Sequence, residues 1–267
     1  MGDSCCNPES MGYIKQLVEE EIPGIYVHSL MIGDSVVQDT ENGFLMNVNK
    51  QVELACQAIK ADANLAQGFH AIGFSQGGQF LRAVAQRCPE PGMRNLVTVG
   101  GQHQGVFAVP HCPTASWLCE LMAKLLTRGA YLSYIQNSLV QAEYWHDPLQ
   151  EDVYRQKSIF LADINNENNN HPEYKQNLVK LQNFVMVKFT KDTMVYPHES
   201  EWFGWFQPGQ DKLLLPLNQT NIYAEDRIGL KELSESGRLH FIAVAADHLR
   251  MSKEQLINLI IKPYFSS

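Results

Sequence analysis

Gly73-Phe74-Ser75-Gln76-Gly77 ends an apolar run that starts at Phe69, and a helical pattern begins directly behind it. A serine hydroxyl is a weak nucleophile. It becomes useful when a sharp turn lifts it out of a strand beside a base, with donors for the oxyanion it creates. Such a turn crowds the backbone on both sides, so the residues two before and two after the serine must be small. Gly73 and Gly77 meet that need. The spacing predicts a strand, a turn with Ser75 at its apex, and a helix whose N-terminus faces the reacting centre. The backbone N–H of Gln76, directly after the nucleophile, is the expected oxyanion donor.

The serine needs a base, and the base needs an acid to orient it. In parallel α/β sheets, sites lie beyond the carboxyl ends of strands. Hydrolases built on this elbow carry serine, acid and histidine in that chain order. Of nine histidines, His248 alone lies late in the chain and just past a strand pattern, in Ala245-Ala246-Asp247-His248. His240 begins that strand at the wrong end, and His103 follows a strand end but precedes any suitable acid. His111, His146, His171 and His198 fall in loops. Asp192, three residues beyond Phe189, mirrors the placement of His248, with Asp163 and Glu199 as competitors. Asp247 is adjacent to His248 and is expected to point away from its imidazole. Ser75, His248 and Asp192 are thus the expected nucleophile, base and orienting acid.

The elements that must hold these residues follow from periodicity. Ser10 to Glu21 is expected as a helix, stopped by Pro23-Gly24, and Ile25 to Leu30 as a strand. A long amphipathic helix is expected from about Asn42 to Ala61. Strand Phe69–Phe74, helix Gln76–Arg87 and the continuous apolar strand Asn95–Gly100 follow. Val106 to about Tyr154 carries no strand signal and reads as a helical insertion, with helices near Ala115–Leu126 and Tyr131–Ala142. Ser158–Ile164 is either a strand or the insertion's end, and Asn165–His171 is an Asn-rich loop. Strand Phe184–Phe189, an aromatic loop around Trp202 and Trp205, strand His240–Ala245 and helix Lys253–Ile261 complete the chain. Alternating β and α elements predict one α/β domain over residues 1–267, a mostly parallel sheet wrapped by helices.

Composition narrows the partners. The net charge of −8 argues against nucleic acid and against a polybasic membrane contact. No run of about 18 apolar residues predicts a transmembrane helix, and the opening Met1-Gly2-Asp3-Ser4-Cys5-Cys6 is not a signal peptide pattern. The six cysteines, Cys5, Cys6, Cys56, Cys88, Cys112 and Cys119, contain no C-x-x-C zinc pair, and no metal site is expected. Their even count fits three disulfides in an oxidising compartment, against six reduced thiols in a cytosolic protein. Asn218-Gln219-Thr220 is a glycosylation sequon.

Four stretches together carry a resemblance: Gly2 to Pro8, Gly73 to Arg82, Gly100 to Phe107 and Gln141 to Pro148. They are similar to the palmitoyl-protein thioesterases, in the type-one lysosomal form, and the likeness runs through essentially the whole chain. It implies an α/β-hydrolase that removes long-chain fatty acyl groups from S-acylated cysteines of proteins and peptides through an acyl-serine, with no cofactor. Acyl thioesters such as palmitoyl-CoA are implied substrates as well. Matched by motif, the family's triad falls on Ser75, Asp192 and His248, and its oxyanion donors on Gln76 and Met1. Its disulfides fall on Cys5–Cys6, Cys56–Cys88 and Cys112–Cys119, and its acyl-chain groove on the insertion, with the aromatic loop around Trp202 to Trp205 expected to line the groove as well. The family reads His-Gly before this Met1, after an apolar first strand. That strand and a signal peptide are therefore expected to be missing here. A lysosomal, lumenal location is implied. The competing expectations are a lipase or carboxylesterase acting on oxygen esters, and a non-catalytic acyl-binding variant.

Overall fold

A computed structural model describes residues 3–108, 126 and 129–266. Four parallel strands form its sheet. In chain order the strands are β1 (Phe69–Phe74), β2 (Met93–Val99), β3 (Asn183–Phe189), the two-residue hairpin β4 (Trp205–Phe206) and β5 (Leu214–Leu215), and β6 (Leu239–Val244). The main sheet runs β1-β2-β3-β6, with Phe74 opposite Val99, Val99 opposite Val187, and Phe189 opposite Val244. These pairings bring the carboxyl ends of the strands level, and the loops beyond them form one rim.

The central strands read as unbroken apolar runs because both of their faces are covered. Leu96, Phe184 and Met186 face one layer, with α3 (Val48–Ala61) and α4 (Gln76–Arg87). Val97, Val99, Val185 and Val187 face the other, with Leu17 and Val18 of α1 (Met11–Glu21) and with Leu256 and Ile260 near the C-terminus. Among the described residues, no helix is long and apolar enough to cross a membrane.

Two expectations are corrected, and one left open is decided. The long helix from about Asn42 to Ala61 is two helices, α2 (Val36–Leu45) and α3. Met46 turns to an extended conformation, and the Asn47 side chain caps α3 by accepting the Asn49 N–H at 2.9 Å. An Asn at a cap satisfies an orphan N–H that a continuous helix would not leave open. Ile25–Leu30 is not a strand. With the outer edge of β1 it lines a cavity of about 600 Å³, and it is held from its sides. The Tyr26 hydroxyl and His28 Nδ1 meet Asp62 Oδ2, both at 2.8 Å, and Lys15 Nζ donates to the Val27 carbonyl. No described strand pairs with that edge of β1. Ser158–Ile164, open between a strand and the insertion's end, holds a short helix, Leu161–Ile164.

Between β2 and β3 the described residues form short helices, among them Ser133–Gln136, Val140–Glu143 and Glu151–Lys157. The helix expected at Ala115–Leu126 lies outside the described residues except for Leu126, and the expected Cys112–Cys119 pair lies outside them entirely. Cys5–Cys6 and Cys56–Cys88 are bonded, the second tying α3 to the residue that ends α4.

Glu143 ties this helical region to the sheet layer. Its side chain is fully buried, and both carboxyl oxygens accept the Val48 N–H at the start of α3, at 3.0 and 3.2 Å. Burial pushes this carboxyl up to about 8, against the Val48 N–H and the Arg87 charge, which pull it down. In the unfolded chain it titrates near 4.3. Between those values the folded state binds the extra proton, so its stabilising contribution is complete below the lower value and is lost as pH rises through about 8. Thermal unfolding should therefore occur at a higher temperature at mildly acidic pH than near pH 8. Glu143→Gln should remove at least about 1 kcal/mol of that dependence, roughly 2–4 °C in Tm. Equal pH slopes in the two proteins would contradict this.

Candidate active site

β1 ends at Phe74, and the next residue carries the strain expected of an elbow. Ser75 has φ 51° and ψ −123°, an unusual conformation for a residue with a side chain. Its N–H donates to the Val99 carbonyl at 2.8 Å, and its carbonyl accepts the Gly78 N–H at 2.9 Å. The turn is thereby fixed between β1, β2 and α4. A Cβ on Gly73 would lie 2.3 Å from the Gly77 carbonyl oxygen, so this position admits only glycine. Gly77 itself is different from expectation: a Cβ there would meet nothing within 4 Å, because it faces the cavity. The crowding falls on Gly78, where a Cβ would come within 3.1 Å of Gly101 and Thr98. That glycine lets α4 approach the end of β2.

From this turn the Ser75 hydroxyl meets His248 Nε2 at 2.9 Å. His248 Nδ1 meets Asp192 Oδ2 at 2.5 Å. Residues 75, 192 and 248, each on a loop just past a parallel strand, thus form one continuous hydrogen-bonded line. The Asp192 side chain is fully buried, and its second oxygen accepts the Met194 and Val195 N–H groups at 2.7 and 2.8 Å. Burial alone would raise this carboxyl. The hydrogen bond and charge of His248 and the backbone donor outweigh burial and hold it below the usual range. Asp192 therefore stays ionised as the partner of His248.

Two supports carried little sequence signal. Gly100, at φ +65°, lies against the imidazole: a Cβ there would come within 3.1 Å of His248 Cε1. The Gly100-Gly101 pair after a strand was the available clue. Asp247 points away from the imidazole, as expected, and does separate work. Its Oδ1 accepts the Thr193 N–H and hydroxyl, both at 2.9 Å, and the His248 N–H at 2.7 Å. It ties the loop of the acid to the loop of the base.

The other candidates fall away from this line. His103 is buried, stacked on Phe203 and bonded to Thr98 Oγ1. Burial and then the Arg82 charge push it well below its ordinary value. His146 is stacked between Tyr154 and Trp205. Asp163 pairs with Arg87 at 2.6 Å, Glu199 with His198 at 3.1 Å, and His240 with Asn183. The aromatic loop is likewise structural. Trp205 is buried against His146, and Trp202 donates to the Met186 carbonyl. Neither lines the cavity beside Ser75.

Gln76 is the first residue of α4, where a backbone N–H has no partner within the helix. Its side chain is held by the Gly43 carbonyl and the Tyr144 hydroxyl. Met1 lies outside the described residues, though Asp3 and Ser4 line the same cavity as Ser75. Asn218 is exposed in a turn over Leu217–Gln219, while the Thr220 hydroxyl is engaged with the Leu217 carbonyl at 2.6 Å.

The sequence is similar to those of known proteins. The chain is 57% identical over 265 residues to "Palmitoyl-protein thioesterase 1" of Caenorhabditis elegans, covering 99% of this chain and 89% of that protein. It is 37% identical to "Palmitoyl-protein thioesterase 3" of Dictyostelium discoideum, over 97% and 86% of the two chains. It is 28% identical to "Lysosomal thioesterase PPT2 homolog" of Drosophila melanogaster, over 96% and 87%. The family model described as palmitoyl protein thioesterase matches residues 1–248, a span that contains Ser75 and Asp192 and ends on His248. A match of that extent, over a parallel sheet with a serine elbow, places this chain in the palmitoyl-protein thioesterase family, and it belongs to the α/β-hydrolases.

Proposed function

We propose that this protein hydrolyses the thioester linking a long-chain fatty acyl group to a cysteine of a protein or peptide, and that it accepts simple acyl thioesters such as palmitoyl-CoA. The observation that carries the reading is the unbroken line from the Ser75 hydroxyl through His248 to the ionised Asp192. The names of the relatives supply the substrate class. In the proposed first step, Ser75 Oγ attacks the thioester carbonyl carbon while His248 Nε2 takes its proton. Asp192 stabilises the imidazolium that forms. The negative oxygen is received by the Gln76 N–H, with the position of Met1 as the second donor. Collapse breaks the carbon–sulfur bond, and the cysteine sulfur leaves with the proton from His248. Water, deprotonated by the same imidazole, then cleaves the acyl-serine ester to release fatty acid. The scheme uses no metal and no organic cofactor.

A lysosomal, lumenal setting belongs to the same proposal. Relatives from fly and cattle are named lysosomal thioesterases. The Cys5–Cys6 and Cys56–Cys88 bonds suit an oxidising compartment. Asn218 is exposed as a glycan acceptor, and the protonated Glu143 favours stability in acid.

The substrate class is tested by competition. Turnover of an S-palmitoyl peptide and of palmitoyl-CoA should exceed that of a matched palmitate oxygen ester by at least about tenfold in kcat/KM, a difference of about 1.4 kcal/mol. Equal rates, or preference for the oxygen ester, would replace this reading with a carboxylesterase.

A further inference from the structure

Glu201 is a buried acid that the triad mechanism leaves without a task. It lies in the turn His198–Trp202, its side chain is fully buried, and its Oε2 accepts the Phe189 N–H at 2.9 Å. Phe189 is the last residue of β3, three before Asp192. Among the described residues no donor reaches Glu201 Oε1. The neighbour it does face is the Asp192 carboxyl group. One carboxyl oxygen each of Asp192 and Glu201 and one ring nitrogen of His248 lie within 4.8 Å of one another.

Two carboxyl groups this close in a buried site cannot both ionise. Asp192 already accepts two backbone N–H groups and faces the imidazole, so its oxygens are well supplied with donors. Glu201 has a single backbone donor and an orphaned oxygen. The proton therefore belongs on Glu201, and a proton on Oε1 turns the orphan into a donor aimed at Asp192.

We propose that Glu201 is a positioning residue: a neutral carboxylic acid whose O–H donates to the Asp192 carboxylate and fixes it for His248. The inference rests on the triad reading above and extends the line to a fourth member. A hydrogen bond to the charged form lowers the basicity of Asp192, so it does not take the proton when the imidazolium forms. Burial, then the hydrogen bond and charge of Asp192, push Glu201 up to about 10, while the Phe189 N–H and the Lys188 charge pull the other way. His248 is the other titratable group at the cluster.

The test compares the protein with its Glu201→Gln and Glu201→Leu variants. Two rates are read against pH: thioester turnover, and phosphonylation of Ser75 by a fluorophosphonate. Glutamine keeps a donor toward Asp192 and cannot titrate. Its rates should stay within about threefold of the parent at neutral pH, whereas leucine should lower kcat by about 10–100-fold, as for a lost outer hydrogen-bond partner, with KM little changed. The parent should lose rate as pH rises through about 10, and Glu201→Gln should not. Infrared spectra should show a protonated-carboxyl stretch in the parent that is lost over the same pH range and is missing from Glu201→Gln. If the leucine variant does not fold, the pH profile and infrared band of Glu201→Gln decide. A leucine variant as fast as the parent, a glutamine variant as slow as the leucine one, or an alkaline limb that survives in Glu201→Gln would overturn the proposal. Phosphonylation separates the two readings. If thioesters are not hydrolysed but labelling follows this pattern, the substrate reading fails and Glu201 keeps its role.

Discussion

Ser75→Ala is expected to lower thioester turnover by about 10⁶-fold while leaving the fold intact, the scale seen when the nucleophile of a serine hydrolase is removed. Only the hydroxyl is lost. The elbow is fixed by backbone bonds from Ser75 to Val99 and Gly78 and by the crowding of Gly73, and alanine retains all of these. His248→Ala should cost a similar factor. The double variant should be no slower than either, because a base without a nucleophile, or the reverse, contributes nothing on its own. The measurement is steady-state release of free thiol from palmitoyl-CoA, with fluorophosphonate labelling and Tm as companions. Turnover in Ser75→Ala above about one per cent of the parent would remove Ser75 from the mechanism.

Legibility in the sequence follows from how local the controlling physics is. The elbow's strand, serine and helix are readable, though not which following glycine is crowded, because β1, the turn and α4 are set by neighbours: an apolar run, a glycine, a serine and a helical stripe. Asp192 and His248 were readable because they lie just past strands that announce themselves. Ile25–Leu30 has the composition of a strand, but a strand exists only where a partner offers ladder bonds, and this segment faces a cavity. The split between α2 and α3 turns on one Asn cap inside an apolar stripe that continues across the break. Ser158–Ile164 is a short apolar run of the kind that periodicity cannot assign. Glu201 and Gly100 gave the least signal. Their roles depend on Asp192 and His248 arriving from other loops, and beyond the Gly100-Gly101 pair nothing in their own neighbourhoods records that.

Asp192→Asn should lower turnover by about 10⁴-fold, the scale of the same exchange in a serine protease triad. The geometry here dictates why. Asp192 Oδ1 accepts two backbone N–H groups, from Met194 and Val195, so the corresponding atom of an asparagine must be its carbonyl oxygen. The amide nitrogen is then forced into the place of Oδ2 and donates to His248 Nδ1. An imidazole that accepts at Nδ1 carries its proton on Nε2, the atom facing the Ser75 hydroxyl, and so cannot take the serine proton. The loss is thus a tautomer effect. Asp192→Ala leaves the imidazole free to choose and, if the protein folds, should retain more activity than Asp192→Asn despite removing more atoms. The rate of Ser75 phosphonylation should follow the same order, because that step needs the same base. An asparagine variant as active as the parent would show that His248 does not depend on Asp192. An alanine variant slower than the asparagine one would shift the role of Asp192 from tautomer control to orientation of the imidazole.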